Sequence, residues 1–268
     1  MPRRPSVAIP TYWEVRAPSA WASIDFVSDL HLSAGTPRTF DAWAAHLEHT
    51  TADAVFMLGD LFEAWVGDDA RHSGFEAQCA DVLANAASVR TLGFMAGNRD
   101  FLVGGVMLKD CGVLALSDPT VVIAFGERLM LSHGDALCIS DTEYQGFRQQ
   151  VRSEAWQSKF LAASLDERRD LVGRMRDESR LHQAGLTPGA WFDVDTATAV
   201  RWMHEAGTPT LIHGHTHHPG EEAMAPGFIR YVLSDWDLDH AIPPRAEVLR
   251  WCRGGLSRLA PTAAPAAV

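Results

Sequence analysis

Four histidines stand within six positions of the stretch LIHGHTHHPG (211–220): His213, His215, His217 and His218. Neutral imidazole is the commonest side-chain metal ligand, so the cluster poses a question about metal chemistry. Residues of similar capacity end other apolar runs. FVSDLH brings Asp29 and His31, FMLGD brings Asp60, FMAGN brings Asn98, and LMLSHGD brings His133. Carboxylate, amide and imidazole donors without a neighbouring thiol suit Mn²⁺, Fe or Zn and argue against a structural zinc site. Asp29, His31, Asp60, Asn98, His133, His215 and His217 are more donors than one ion takes. The reading is two ions: Asp29, His31 and His217 on one, Asn98, His133 and His215 on the other, and Asp60 giving an oxygen to each. Such ions sit roughly 3.5–4 Å apart and hold a hydroxide in line with a phosphorus atom. His213 lies inside its apolar run and reads as a core histidine, and His218 falls at the rim.

These donors need elements that deliver them to one place. Short β-branched or aromatic runs recur at 23–29, 53–60, 91–98, 120–135, 208–215, 228–235 and 246–252, each bounded by turn residues. Helical patterns at 39–50 and 75–88 separate the early ones, which predicts an α/β fold. FGER at 125–128 reads as a hairpin turn, so part of the sheet is antiparallel. Ligands of open α/β sheets gather beyond the carboxyl ends of strands, where the donors stand here. Residues 142–206 form a helical insertion by this reading, and within 145–182 there are eight Arg or Lys against six Asp or Glu. Its apolar residues Phe147, Val151, Trp156, Phe160 and Leu161 read either as core packing or as a groove for acyl chains. Its arginines read as a solvated face or as contacts to an anionic membrane surface. Residues 1–22 are an N-terminal extension, 23–257 the main domain, and the Ala/Pro-rich 258–268 an expected disordered tail.

Composition narrows the class. The net charge is −11 over 268 residues, so nucleic acid is not an expected partner, since phosphate contacts want a basic surface. The first residues carry no secretory signal pattern, and no stretch approaches the ~20 apolar residues of a membrane span. Cys79, Cys111, Cys138 and Cys252 form no CxxC pair and read as reduced thiols, with the cytoplasm as the expected compartment. Three acidic residues downstream of Asp60, namely Glu63, Asp68 and Asp69, have two readings, supports behind the metal ligands or exposed loop charges, and the second is preferred. Asp135 has two readings, orienting an imidazole or capping a turn.

SDLH, GDLFE, GNRD, SHGD and GHTH, in that order, resemble the blocks of the calcineurin-like metallophosphoesterases. Longer stretches, GDLFEAWVGDD, GNRDFL, HGDALCISD and LIHGHTHHP, resemble the branch of that family that hydrolyses UDP-2,3-diacylglucosamine in lipid A biosynthesis. The resemblance runs from about Asp25 to about Asp239. It implies a sandwich of two mixed β-sheets flanked by helices, with a helical cap. It also implies two Mn²⁺ ions and cleavage of a pyrophosphate to UMP and 2,3-diacylglucosamine 1-phosphate. The protein would then be cytoplasmic, at the inner face of the inner membrane of a Gram-negative bacterium, with a glycolipid nucleotide as substrate. Asn98, Arg99, Asp141, Ser179 and His215 match positions that contact substrate in the family. Gln183 stands where the family has Asn, and the Lys that follows there has no counterpart in RLHQAGLTPGAWFDV. Arg99, in a GNR block, can grip phosphate with a forked pair of hydrogen bonds, and with Asp60 it is the residue on which catalysis is expected to turn. The alternative is a related phosphodiesterase or nucleotide pyrophosphatase with another substrate.

Overall fold

Apolar residues alternate onto both faces of the early strands, and that pattern decides the layering. The computed structural model describes residues 7–185 and 192–264, the side chains of 177–185 excepted. In β2 (Ser23–Val27) Ile24 and Phe26 face inward, as do Ala54, Phe56 and Leu58 of β3 (Ala54–Leu58). Val27, Val55 and Met57 face the other way, toward helices. A strand buried on both faces belongs in a parallel sheet with crossover helices. The chain obeys: α1 (Pro37–His49) leads from β2 to β3, α2 (Gly74–Ala87) from β3 to β4 (Thr91–Met95), and α3 (Gly105–Asp110) from β4 to β5 (Leu114–Leu116). Two antiparallel strands, β11 (Val248–Cys252) and β12 (Gly255–Leu259), complete the order β12-β11-β2-β3-β4-β5.

A second six-stranded sheet has the order β1-β6-β7-β8-β10-β9. Its members are β1 (Trp13–Arg16), β6 (Thr120–Ala124), β7 (Glu127–Ser132), β8 (Thr210–His213), β9 (Gly220–Ala225) and β10 (Phe228–Val232). The expected hairpin joins β6 to β7, with Phe125 and Gly126 at φ of 56° and 92°. Two successive positive φ values give the twist that a tight antiparallel turn needs. The sheets close face to face over Phe26, Phe56, Leu131, Ile212 and Trp251, while Trp43, Leu47 and Leu83 seal the outer face of the first sheet.

Three expectations change. The segment 142–206 is not one insertion. Its last helix, α7 (Thr196–Ala206), packs Ala199, Trp202 and Met203 onto Val121, Met130 and Leu211 of the second sheet, because its apolar stripe matches that face. Only α4 (Thr142–Val151), α5 (Glu154–Leu161) and α6 (Leu165–Gly185) stand out from the sandwich. The extension before residue 23 contains β1, which pairs in parallel with β6. At the other end β12 runs to Leu259 and the Thr262 amide donates to His46 Nδ1 at 3.1 Å, so the chain stays packed past residue 257.

One buried charge ties the closing strand to the sheet. Asp25, fully buried on β2, accepts from Arg250 Nε at 2.7 Å and Nη2 at 2.8 Å and from Thr50 Oγ1 at 2.7 Å. Burial alone would raise this carboxyl, but hydrogen bonds from Arg250, His46 and Thr50 outweigh it and hold the pKa at about 2. A carboxyl at ~3.9 in the unfolded chain then contributes about 2 kcal/mol above pH ~4, lost as pH falls through the folded value. Asp25→Asn should cost about 3 kcal/mol at pH 7, leaving the guanidinium without its charge partner. Urea melts at pH 5 and pH 3 should show a smaller loss on acidification in the variant than in wild type; equal losses would remove Asp25 from the acid response.

Candidate metal centre

The donors named from the sequence do converge, and the backbone that delivers them is unusual. Asp29, His31, Asp60, His215 and His217 have φ of 56°, 48°, 51°, 65° and 54°, the left-handed region that non-glycine residues seldom adopt. Asp and His tolerate it better than most residues, but each still stores strain. Cross-bonds between the strand-end loops hold it. The Asp29 amide donates to Gly59 O at 3.1 Å, the His31 amide to Asp60 O at 3.0 Å, and the Gly214 amide to His133 O at 2.9 Å. The His215 amide donates to Asp29 Oδ2 at 2.9 Å, stitching the two sheets together at the site.

Ligand atoms of Asp29, His31 and His217 lie within 4.8 Å of one another, as do those of Asp29, Asp60 and His133. Asp60 faces both ways: Oδ2 is 3.9 Å from His31 Nε2 and Oδ1 is 3.7 Å from His133 Nε2. Asn98 Oδ1 lies 3.0 Å from His133 Nε2 and 2.9 Å from His215 Nδ1. His31 Nε2 and His217 Nε2 approach to 3.4 Å, and His217 Nε2 is 3.3 Å from Asp29 Oδ1. That buried oxygen of Asp29 has no hydrogen-bond partner. An orphaned carboxylate oxygen facing imidazole nitrogens is what a cation would satisfy, so the residues fit a divalent metal.

Electrostatics say the same. Burial raises Asp29, but the adjacent His217 imidazole and the charges of His133 and His31 hold it far below the usual carboxylate range. Burial lowers His133, yet the Asp60, Asp29 and Asp135 carboxylates carry it up to about 9. His215 is pushed down to about 4 by burial and by the His133 charge. The carboxylates thus demand positive charge at this spot.

Around these donors lie groups that sequence reading passed over. Asp100 accepts from the amides of Gly97 at 2.7 Å, Leu61 at 2.8 Å and Asp60 and Phe62 at 3.3 Å each, fixing the loops after β3 and β4 to each other. Glu63, read as an exposed charge, instead sits 3.0 Å from His31 Nδ1. Burial would raise Glu63, but His31, Arg176 and Arg99 hold it at about 2. Asp68 accepts from the Gly104 and Met107 amides at 2.8 Å, capping α3, and Asp69 pairs with Arg168. Asp68 is thus a half-buried cap and not a solvated charge, whereas Asp69, though paired with Arg168, is exposed as expected. Asp235, at the end of β10, lies 3.6 Å from His217 Nδ1.

Asp135 orients no imidazole. It accepts from Tyr144 Oη at 2.6 Å and Arg148 Nε at 2.8 Å, which anchors α4. Arg152 donates to Gly97 O at 2.8 Å, and Arg168 donates to Val66 O. These insertion arginines face the core and not solvent. Asp141 caps α4 through the Tyr144 amide at 3.0 Å, and the Tyr144 ring stands 5.9 Å from that of His215. Arg99 donates its amide to Asp60 Oδ1 at 2.8 Å, and its buried Nε has no hydrogen-bond partner among the described residues. Ser179 and Gln183 lie outside the described side chains. His213 is fully buried, as expected, with Nδ1 2.9 Å from Gly214 O; His218 is exposed at the rim. Val151 and Phe160 are core, Trp156 stacks on Phe160 at 4.9 Å, and Phe147 and Leu161 remain exposed.

This sandwich and its converging donors define a class. The chain belongs to the calcineurin-like phosphoesterase family, which matches residues 22–219, and is a metal-dependent hydrolase. Among curated relatives, a UDP-2,3-diacylglucosamine hydrolase of Chromobacterium violaceum is 42% identical over 224 residues, 80% of this chain and 90% of that protein. Proteins of the same name from Xanthomonas oryzae pv. oryzae and Ralstonia nicotianae are 40% and 41% identical, covering 79% and 87% of this chain and 90% of each relative.

Two glycines mark the tightest packing. A Cβ at Gly97 would lie 2.1 Å from Asp60 Oδ1, and one at Gly214 would lie 2.2 Å from Asp29 Oδ2. Either methyl displaces a donor carboxylate by about 1 Å, enough to cost ~10²-fold in rate. Gly97→Ala and Gly214→Ala should lose about that much turnover of bis-p-nitrophenyl phosphate while keeping a cooperative melt. Full activity in either would show that the carboxylates need not stand where they do.

Proposed function

We propose that the site holds two divalent ions, with Asp60 between them, and hydrolyses the pyrophosphate of UDP-2,3-diacylglucosamine to UMP and 2,3-diacylglucosamine 1-phosphate. The observation that carries the reading is the two-sided Asp60, one oxygen toward His31 and the other toward His133. The relatives' names supply the substrate. Asp29, His31 and His217 would hold one ion and Asn98, His133 and His215 the other. Manganese suits this mixed oxygen and nitrogen set. Bound ions would supply an activated water and neutralise phosphate charge.

The chain's own groups do the rest. His133 Nδ1 donates to Leu58 O at 2.9 Å, so its Nε2 lone pair is turned toward Asp60 and Asn98. Arg99 brings a guanidinium to the same loop and binds a phosphate oxygen as charge develops. Asp141, Ser179 and Gln183 are assigned to the head group of the substrate. The exposed Phe147 and Leu161 and the half-buried Trp156 are the apolar surface offered to acyl chains. Such a product belongs to lipid A biosynthesis in a Gram-negative bacterium, and the working place is the cytoplasmic face of the inner membrane. No helix among the described residues is long and apolar enough to cross a membrane.

A second reading, a phosphodiesterase or nucleotide pyrophosphatase with another substrate, draws on Gln183 and the missing lysine after it. Turnover of UDP-2,3-diacylglucosamine with Mn²⁺, set against bis-p-nitrophenyl phosphate, separates the two. The first reading expects kcat/KM on the glycolipid to exceed that on the small diester by at least ~10³, since remote binding energy reaches the transition state. Parity would favour the second. Asp60→Ala should lose most bound metal by elemental analysis, whereas Arg99→Ala should keep two ions and lose ~10²-fold or more in turnover. Two ions retained without Asp60, or unchanged turnover without Arg99, would remove those roles.

A further inference from the structure

The two imidazoles assigned to the first ion share a feature that, among the described residues, those of the second lack. Each turns its far nitrogen to a carboxylate, and each carboxylate is gripped by an arginine. On one side His31 Nδ1 meets Glu63 Oε2 at 3.0 Å, and Glu63 Oε1 accepts from Arg176 Nη2. On the other, His217 Nδ1 stands 3.6 Å from Asp235 Oδ2, and Asp235 accepts Arg245 Nε at 2.8 and 2.9 Å. His133 meets a neutral backbone carbonyl instead. A carboxylate behind an imidazole fixes its tautomer and makes the other nitrogen a better donor. His31 presents that other nitrogen, Nε2, toward Asp60 and His217.

The two arginines differ in origin. Arg245 lies between β10 and β11, in the sandwich itself, where its amide and carbonyl bridge to Asp237. Arg176 is on α6, part of the insertion. The geometry points to Glu63 as a positioning residue for His31 that couples the first ion to the seating of α6, through Arg176. This rests on the two-ion reading. By linkage the coupling runs both ways: an ion on His31 favours the docked helix, and the docked helix favours the ion. The insertion that covers the site would then be ordered by the metal it covers, and an empty first position would loosen it. Arg152, bonded to Gly97 O, keeps the end of α4 seated, and Arg168, bonded to Asp69, anchors the first turn of α6, so the effect is confined to the part of α6 that follows.

The test titrates Mn²⁺ calorimetrically into the wild-type chain and into Glu63→Gln, Arg176→Gln and Asp235→Asn, and follows amide exchange of residues 165–176 with and without Mn²⁺. Wild type should bind two ions and show slower exchange in 165–176 once loaded. Glu63→Gln should weaken one of the two ions by roughly 10–100-fold and leave the other unchanged. Arg176→Gln should weaken the same ion by a smaller factor and abolish the Mn²⁺ dependence of exchange. Asp235→Asn should weaken that ion while keeping the exchange response, because Arg245 does not belong to α6. Wild-type affinity for both ions in Glu63→Gln, or exchange in wild-type 165–176 that ignores Mn²⁺, overturns the proposal. A wild-type chain that binds a single ion fails the two-ion reading instead, a result distinct from either.

Discussion

Five non-glycine donors in the left-handed region are the constraint on which the rest depends. Each costs of the order of 1–3 kcal/mol, and that cost persists only where the surroundings over-determine the backbone. Here the surroundings are two sheets whose strand ends meet. The Asp29 amide reaches the neighbouring strand's loop, and the His215 amide crosses between sheets to Asp29 Oδ2. The sandwich core therefore has a functional purpose beyond burial. It holds Asp29 and Asp60, both almost wholly buried, near enough to His133 and His217 that only a cation settles their charge.

A second layer explains how the donors are aimed. Asp100 gathers four amides of two loops, and with the Arg99 amide's bond to Asp60 Oδ1 it holds Asp60 beside Asn98. Glu63 and Asp235 do for imidazoles what Asp100 does for backbone. The insertion enters this layer through arginines read in the sequence as solvated or membrane-facing. Arg148, Arg152, Arg168 and Arg176 all point inward, onto Asp135, Gly97 O, Asp69 and Glu63. The cap is thus held by charge as well as by the apolar contacts of Phe160, Trp156 and Val172 with the core.

Much of this was legible in the sequence, for a physical reason. A polar donor just past an apolar run marks a strand end, and the donors at 29, 31, 60, 98, 133, 215 and 217 all follow such runs. What stayed hidden depended on tertiary contact. Glu63, Asp68 and Asp69 look alike in a loop of acidic residues, and only packing separates the one beside His31 from a helix cap and a partner of Arg168. Asp100 and Asp235 sit in GNRD and LSDW with nothing local to announce an amide acceptor or a carboxylate behind an imidazole. α7 was merged with the insertion because its helical pattern continues that of its neighbours, while the stripe of Trp202 and Met203 that seats it on the sheet is a matter of register. β9, with exposed Glu221 and Glu222, is an edge strand whose polar sequence hides its pairing with β10.

Anomalous diffraction at the manganese edge from crystals grown with Mn²⁺ bears most directly on the central claim. The account predicts two peaks per chain, roughly 3.5–4 Å apart, with the Asp60 carboxylate between them, one flanked by Asp29, His31 and His217 and the other by Asn98, His133 and His215. A single peak, or two peaks that Asp60 does not touch, would contradict it.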